Sequence, residues 1–251
     1  MEGKLTVEGG ELSYRHVPGL KDTNVLFLHG TLSDKNASKS LFLQEFCAKE
    51  GLSYTAFDFI GHGESSGLYT DGTIGRWLQN ALDIIDRVTR GPLMIVGSSM
   101  GGWIMLLAAL ARPERVKTLT GLAAAPDFTV DLWAGFSEKQ KKEVHEKGIV
   151  YTPNGWTEEG DPWTRELFED ARDHLLLTGD ALNIVCPVTL IHGTKDDCVP
   201  LETSFKVMNA LKSDNVKLIV LKNSGHRLSE PHELDVLADT LRGSLREVRE
   251  A

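Results

Sequence analysis

The run Met94-Ile95-Val96-Gly97-Ser98-Ser99-Met100-Gly101-Gly102-Trp103 constrains this chain more than any other stretch. It sets Gly-x-Ser-x-Gly between a short apolar segment that reads as a buried strand and a helical pattern that begins at Gly101. A strand that turns abruptly into a helix strains the backbone of its apex residue, and the residues two positions to either side must lack side chains for the turn to close. Gly97 and Gly101 meet that demand and leave Ser99 at the apex. The helix amino terminus beyond it offers unpaired N–H groups and a positive dipole end, which stabilise negative charge near the serine oxygen.

The rest of the sequence supplies strands and helices in the order such a turn needs. Short apolar runs, typical of strands buried on both faces, recur at Asn24 to Leu28, Tyr54 to Phe59, Leu93 to Val96, Val116 to Ala123, Pro187 to Ile191 and Val216 to Leu221. Between them, helical spacing covers Leu41 to Lys49, Ile74 to Val88, Gly101 to Ala111, Leu201 to Leu211 and Glu233 to Glu247. Lys4 to Glu8 and Glu11 to Val17 alternate around Gly9-Gly10 as a β-hairpin does. Together they predict an α/β fold: a mostly parallel eight-stranded sheet flanked by helices, in a single domain over residues 1–251. One stretch breaks the alternation. From Pro126 to Ile184 no strand pattern is clear; a charged run at Ser137 to Val144, the turn residues Thr152-Pro153-Asn154-Gly155 and a helical pattern from Trp163 to Leu177 suggest a small helical cap inserted at residues 127–184. The alternative is an ordinary long helical crossover.

Charge and cysteine usage narrow the class of partner. The chain has 27 Lys+Arg against 36 Asp+Glu, a net charge of −9, and lacks the basic footprint that nucleic acid or an anionic lipid surface requires. With 41% hydrophobic residues it is neither disordered nor fibrous. Cys47, Cys186 and Cys198 are too widely spaced for a C-x-x-C metal motif, and an odd count does not build a disulfide framework. The first residues carry no apolar core of signal-peptide length, and no transmembrane-length apolar stretch of about 18 residues occurs. As it stands the chain reads as cytoplasmic, with a mitochondrial location open to a form whose transit peptide has been removed. The sequence carries no signal of oligomeric state.

A serine hydroxyl needs a base to take its proton, and that base belongs on another loop at the same sheet edge. His226 follows the last strand directly and precedes the last helix, which puts it at that edge. His29 and His192 end strands before a glycine and read as packed, hydrogen-bonded residues; His16, His145, His174 and His232 read as solvated. The acid that orients the imidazole comes from the loop Gly193-Thr194-Lys195-Asp196-Asp197-Cys198-Val199-Pro200, where Asp196 and Asp197 both stand as candidates. Cys198 in that loop reads as a packing residue. An oxyanion hole takes one donor from the N–H of Met100, after the nucleophile, and one from the loop after the first central strand, Leu28-His29-Gly30-Thr31-Leu32. There the Thr31 N–H is the first candidate and the Leu32 N–H the second.

With these residues in view, essentially the whole chain resembles a serine hydrolase of the α/β-hydrolase fold. Phe57-Asp58-Phe59-Ile60-Gly61-His62-Gly63-Glu64-Ser65 resembles that superfamily's turn after its fourth strand, which implies a scaffold role for Asp58 and His62. More narrowly, Gly97 to Trp103 with Ala111-Arg112-Pro113-Glu114 is similar to the mitochondrial palmitoyl-protein thioesterase branch, also described as acyl-glucuronide esterases such as that for mycophenolic acid. Lys141-Lys142-Glu143-Val144, His192 to Asp197 and His226-Arg227 extend the likeness. The family pattern sets its acid three residues after the glycine and four before the proline, which selects Asp196. The order Ser99, Asp196, His226 is that of the α/β-hydrolases.

The resemblance implies hydrolysis of acyl thioesters and activated carboxylic esters through an acyl-serine, with no metal or organic cofactor. The expected partner is a small acyl ester or thioester, or an S-acylated protein. Apolar residues of the cap, chiefly Phe128, Trp133 and Trp156, are expected at the acyl pocket, with some of the cap's aromatics packing it onto the sheet. The resembled vertebrate enzymes carry a mitochondrial targeting segment, whereas this chain begins almost at its first strand, so their location is not carried over. A general carboxylesterase, a lipase, a proline iminopeptidase or a carbon-carbon bond hydrolase would use the same three residues. A non-catalytic receptor on the same fold would not need them. Serine at the elbow excludes the dehalogenases and epoxide hydrolases, whose nucleophile is a carboxylate.

Overall fold

The computed structural model describes residues 1–154 and 158–250. Along the chain, β1 (Glu2–Val7) and β2 (Gly10–Val17) form a hairpin, followed by β3 (Asn24–Leu28), α1 (Ser38–Glu50), β4 (Ser53–Phe57) and α2 (Ile74–Arg87). Next come β5 (Leu93–Ser98), α3 (Met100–Ala111) and β6 (Val116–Leu122). The segment before the sheet resumes holds α4 (Phe128–Gly135), α5 (Glu138–Lys147), β7 (Ile149–Thr152), β8 (Asp161–Thr164) and α6 (Arg165–Ala171). Then follow β9 (Val188–Gly193), α7 (Leu201–Ala210), β10 (Val216–Leu221) and α8 (Pro231–Glu250).

Eight strands form one sheet in the order β1-β2-β4-β3-β5-β6-β9-β10. The two pairings of β2 are antiparallel and all the others parallel. Every residue of β3 and β5 is buried, because helices cover both faces of the central strands. One apolar cluster joins Ile74, Trp77 and Ile85 of α2 to Trp103, Ile104 and Leu106 of α3. The other, across the sheet, joins Leu43 and Phe46 of α1 to Leu237, Leu241 and Leu245 of α8. Helix α3 is apolar nearly all round, as a helix enclosed by protein must be. The carboxyl ends of β3, β5, β9 and β10 therefore open on one edge, where the loops of interest meet.

The structure corrects one expectation for the insertion. Residues 126–184 were expected to lack a strand, yet β7 and β8 pair antiparallel with Val150 opposite Trp163 and Tyr151 opposite Pro162. Trp163 belongs to a strand and not to the helix that its apolar spacing suggests. Four-residue strands show too little alternation to stand out, and a proline inside one is tolerated only at an edge, as here. Helix α6 is correspondingly shorter than the predicted Trp163 to Leu177, ending at Ala171 before a 3-10 turn at Arg172–His174. Apolar residues of this segment, among them Phe136, Val144, Val150, Trp163 and Phe168, join the cluster on the α2–α3 face. Polar ties reinforce that join: Asp170 accepts from the Gly75 N–H at the start of α2 (2.8 Å), and the Trp103 indole donates to the His174 carbonyl (3.0 Å). Among the described residues no helix is long and apolar enough to cross a membrane.

Candidate active site

The elbow forms for the reason its glycines suggest. Ser99 links β5 to α3 at φ 54°, ψ −121°, a conformation that costs an L-residue energy and is held by its surroundings. Its N–H donates to the Leu122 carbonyl (3.0 Å), and its own carbonyl accepts from Gly102 (2.8 Å) and Ala125 (3.0 Å). A side chain at 97 would overlap the Gly101 carbonyl, and one at 101 would overlap the carbonyls of Leu28 and His29. The turn closes only because both are absent.

His226 comes from the loop between β10 and α8, and its Nε2 lies 3.0 Å from Ser99 Oγ. Its Nδ1 lies 2.9 Å and 3.1 Å from the two Asp196 carboxylate oxygens, Asp196 coming from the loop after β9. A carboxylate only accepts, so Nδ1 carries the proton and Nε2 is left to accept from the Ser99 hydroxyl. The acid and base loops are stitched together: Lys195 N–H donates to the Ser224 carbonyl (2.9 Å) and Asn223 N–H to Thr194 Oγ1 (2.9 Å). Lys39 of α1 steadies the far side of the base loop through the Arg227 carbonyl and Ser229 Oγ, and burial lowers its amine pKa to about 8.

Asp196 accepts from more than His226. Its Oδ1 takes the N–H groups of Cys198 (2.9 Å) and Val199 (2.8 Å). Burial alone would raise its pKa, but hydrogen bonds from His192, His226 and Val199 outweigh it and hold the carboxyl well below the usual carboxylate range. The His192 contact is one that sequence reasoning missed. His192 Nε2 lies 3.2 Å from Asp196 Oδ2 and 3.0 Å from the Val199 carbonyl, so it donates to both, while Nδ1 accepts from Ser204 (2.7 Å). The histidine is packed as expected, and its partner is the acid; the four-residue spacing to Asp196 is the available signal.

The other expected residues fall as follows. Asp197 is exposed and accepts from the Cys198 thiol (3.5 Å), not from His226. Cys198 is itself exposed, which corrects its reading as a packing residue, and its N–H holds Asp196. His29 is buried between the Gly30 carbonyl and the Phe59 N–H. Asp58 is buried and accepts from the Lys35 N–H (2.6 Å), the Lys35 amine (3.3 Å) and the Glu64 N–H (2.9 Å). Lys35 thus anchors the loop that follows β3 to the turn that follows β4, a function that nothing in its sequence context signals.

That β3 loop runs against the nucleophile. A β-carbon at Gly30 would sit 3.0 Å from Ser99 Cβ, closer than ordinary van der Waals contact, so glycine eases the approach. Ser33 N–H donates to the Gly30 carbonyl (3.3 Å), and Leu32 adopts φ 53°. This turn's own bond uses neither the Thr31 nor the Leu32 N–H. The Met100 N–H opens α3, where helix geometry supplies no partner. Phe128 is half-buried between Trp103 (ring centroids 5.6 Å apart) and Trp163 (6.0 Å). Trp133 packs within the insertion on Phe136, Phe168 and His145. Trp156 lies outside the described residues.

Hydroxyl, imidazole and carboxylate in one hydrogen-bonded line can transfer the serine proton to the imidazole and hold the resulting cation. A family model of the alpha/beta hydrolase fold matches residues 23–147. The mitochondrial palmitoyl-protein thioesterase ABHD10 of Homo sapiens is 38% identical over 230 residues, which cover 92% of this chain and 75% of that protein. The solved structure of alpha/beta hydrolase domain-containing protein 10 from mouse superimposes with a TM-score of 0.91 at 34% identity, covering 99% of each chain. A putative hydrolase from Agrobacterium vitis gives 0.92 at 29% identity over 97% of each. Sharing its fold with these proteins over nearly its whole length, the chain belongs to the α/β-hydrolase family and is a hydrolase.

Proposed function

We propose that the chain cleaves acyl thioesters and carboxylic esters through an acyl-serine formed on Ser99. The observation that carries this reading is the unbroken line from Ser99 Oγ through His226 to Asp196, built from three separate loops at one sheet edge. His226 Nε2 takes the Ser99 proton as Oγ attacks the carbonyl carbon, and Asp196 holds the imidazolium that forms. The N–H groups of Met100 and Thr31 receive the negative oxygen; loss of one such donor slows turnover by about 100- to 1,000-fold. His226 then passes its proton to the departing thiol or alcohol. Water, deprotonated by the same nitrogen, releases the carboxylic acid and restores Ser99.

The substrate class rests on kinship with proteins named palmitoyl-protein thioesterase. It also rests on the aromatic surface beside α3, where Phe128, Trp103 and Trp163 meet. Residues 127–184 act in this reading as a cap on one hydrolase domain, with Phe128 at the acyl chain and Trp133 behind it. The test is a panel of p-nitrophenyl esters and acyl thioesters of graded chain length, run beside Ser99→Ala. Turnover that rises with acyl length and vanishes in the variant supports the proposal; equal turnover in the variant removes it.

A further inference from the structure

We propose that Asp196, Cys198 and His226 form a binding site for a thiophilic divalent cation, Zn2+ by its donor set, and that occupancy of this site switches the enzyme off. The binding half stands alone; the inhibitory half rests on the role proposed above for His226.

A carboxylate oxygen of Asp196, the Cys198 sulfur and a ring nitrogen of His226 all lie within 4.8 Å of one another. Oxygen, sulfur and imidazole nitrogen are the donors that zinc takes, and magnesium and calcium do not take this mixture. With Zn–S near 2.3 Å and Zn–N near 2.0 Å, a tetrahedral centre brings sulfur and nitrogen to roughly 3.5 Å. The His226–Asp196 side already has that spacing, at 2.9 Å and 3.1 Å. Cys198 closes the remaining gap by rotation of its exposed side chain about the Cα–Cβ bond.

The surroundings favour a cation. Asp197 accepts from the thiol, and the carboxylates of Asp196, Asp197 and, from β8, Asp161 set a negative field at Cys198. That negative field attracts a divalent ion. The fourth position is left to Asp197 or to water.

Binding is a metal-for-proton exchange. The Cys198 thiol proton is released to solvent, and so is the Nδ1 proton where that nitrogen ligates. Either ring nitrogen breaks the relay when occupied. Metal on Nδ1 replaces the bond to Asp196, and metal on Nε2 removes the acceptor for the Ser99 proton. The zinc-bound form is therefore inactive, and chelation restores it.

The test uses the full chain stripped of metal with EDTA. Zinc is titrated against hydrolysis of a p-nitrophenyl ester, and Co2+ is titrated separately with its near-ultraviolet sulfur-to-cobalt charge-transfer band as the readout. The expected result is inhibition at micromolar zinc, reversed by EDTA and not produced by Mg2+ at the same concentration, together with a cobalt–sulfur band. Cys198→Ser and Cys198→Ala should each raise the zinc inhibition constant at least tenfold, every variant being referred to its own metal-free rate, and should abolish the band. Equal zinc inhibition of wild type and both variants, or no cobalt–sulfur band in the wild type, overturns the proposal. The band is read without substrate, so a chain inactive on esters still tests the site.

Discussion

His226 bonds to Ser99 and Asp196, and Asp196 in turn is held by four groups, of which His192 is the most deeply buried. His192→Phe removes its donor to Asp196 and leaves Ser204 without its acceptor, so the carboxylate is free to tilt from the imidazole. We expect kcat to fall by roughly ten- to a hundredfold, the range typical when a partner that orients a functional ligand is lost, with KM little changed. His192→Gln keeps an amide donor and should recover much of the rate. Equal losses in both variants, or a change confined to KM, would mean that His192 only packs. Asp196→Asn should cost about 10⁴-fold in kcat, because an amide that donates to Nδ1 imposes the wrong tautomer. Ser99, Met100 and His226 are legible in the sequence because glycine spacing and position after a strand fix where they lie. The His192–Asp196 contact is not, since a histidine before a glycine at a strand end looks alike whether it meets a carboxylate or a carbonyl.

At the scale of elements, the site depends on how the segment between β6 and β9 is fastened. Asp127, at φ 60°, accepts from the Leu176 N–H (2.9 Å) and the Leu177 N–H (2.7 Å), closing the far end of the insertion onto its start. Asp127→Ala strips both part-buried amides of their acceptor and should cost about 1–3 kcal/mol. Urea midpoints measure the loss, and hydrogen exchange at 176 and 177 should quicken by more than at α3; unchanged exchange there would contradict the assigned fastening. The strands of the main sheet are legible because burial on both faces makes each a continuous apolar run. β7 and β8 are not, because each has four residues and a single buried apolar contact, Val150 against Trp163, to mark it. Boundaries shift by a few residues for a similar reason: α1 begins at Ser38, three residues before the apolar spacing starts at Leu41.

For the whole molecule, the buried histidines couple stability to pH. Burial lowers His29 from its ordinary 6.5 to about 4, and burial with the nearby His29 lowers His62 from 6.5 to about 3. Both stay neutral in the fold across a range where the unfolded chain takes up a proton. Stability is therefore full above about pH 6.5 and declines below it, by up to about 1.4 kcal/mol per pH unit for each histidine, until the folded values are reached. The depressed carboxylates Asp196 and Glu64 lose their contributions only below the ordinary carboxylate range, so the histidines dominate between pH 6.5 and 5. Guanidinium midpoints should fall across that interval, and His62→Phe, which fills the same aromatic surroundings, should flatten the decline; a midpoint independent of pH would show that these rings are not shielded. The central claim, that Ser99 carries the acyl group, is tested most directly by rapid quenching with an activated ester followed by peptide mass spectrometry. One acyl adduct on the Ser99 peptide, absent in Ser99→Ala and formed far more slowly in His226→Ala, is the predicted result; an adduct on another residue, or turnover by Ser99→Ala at the wild-type rate, would contradict it.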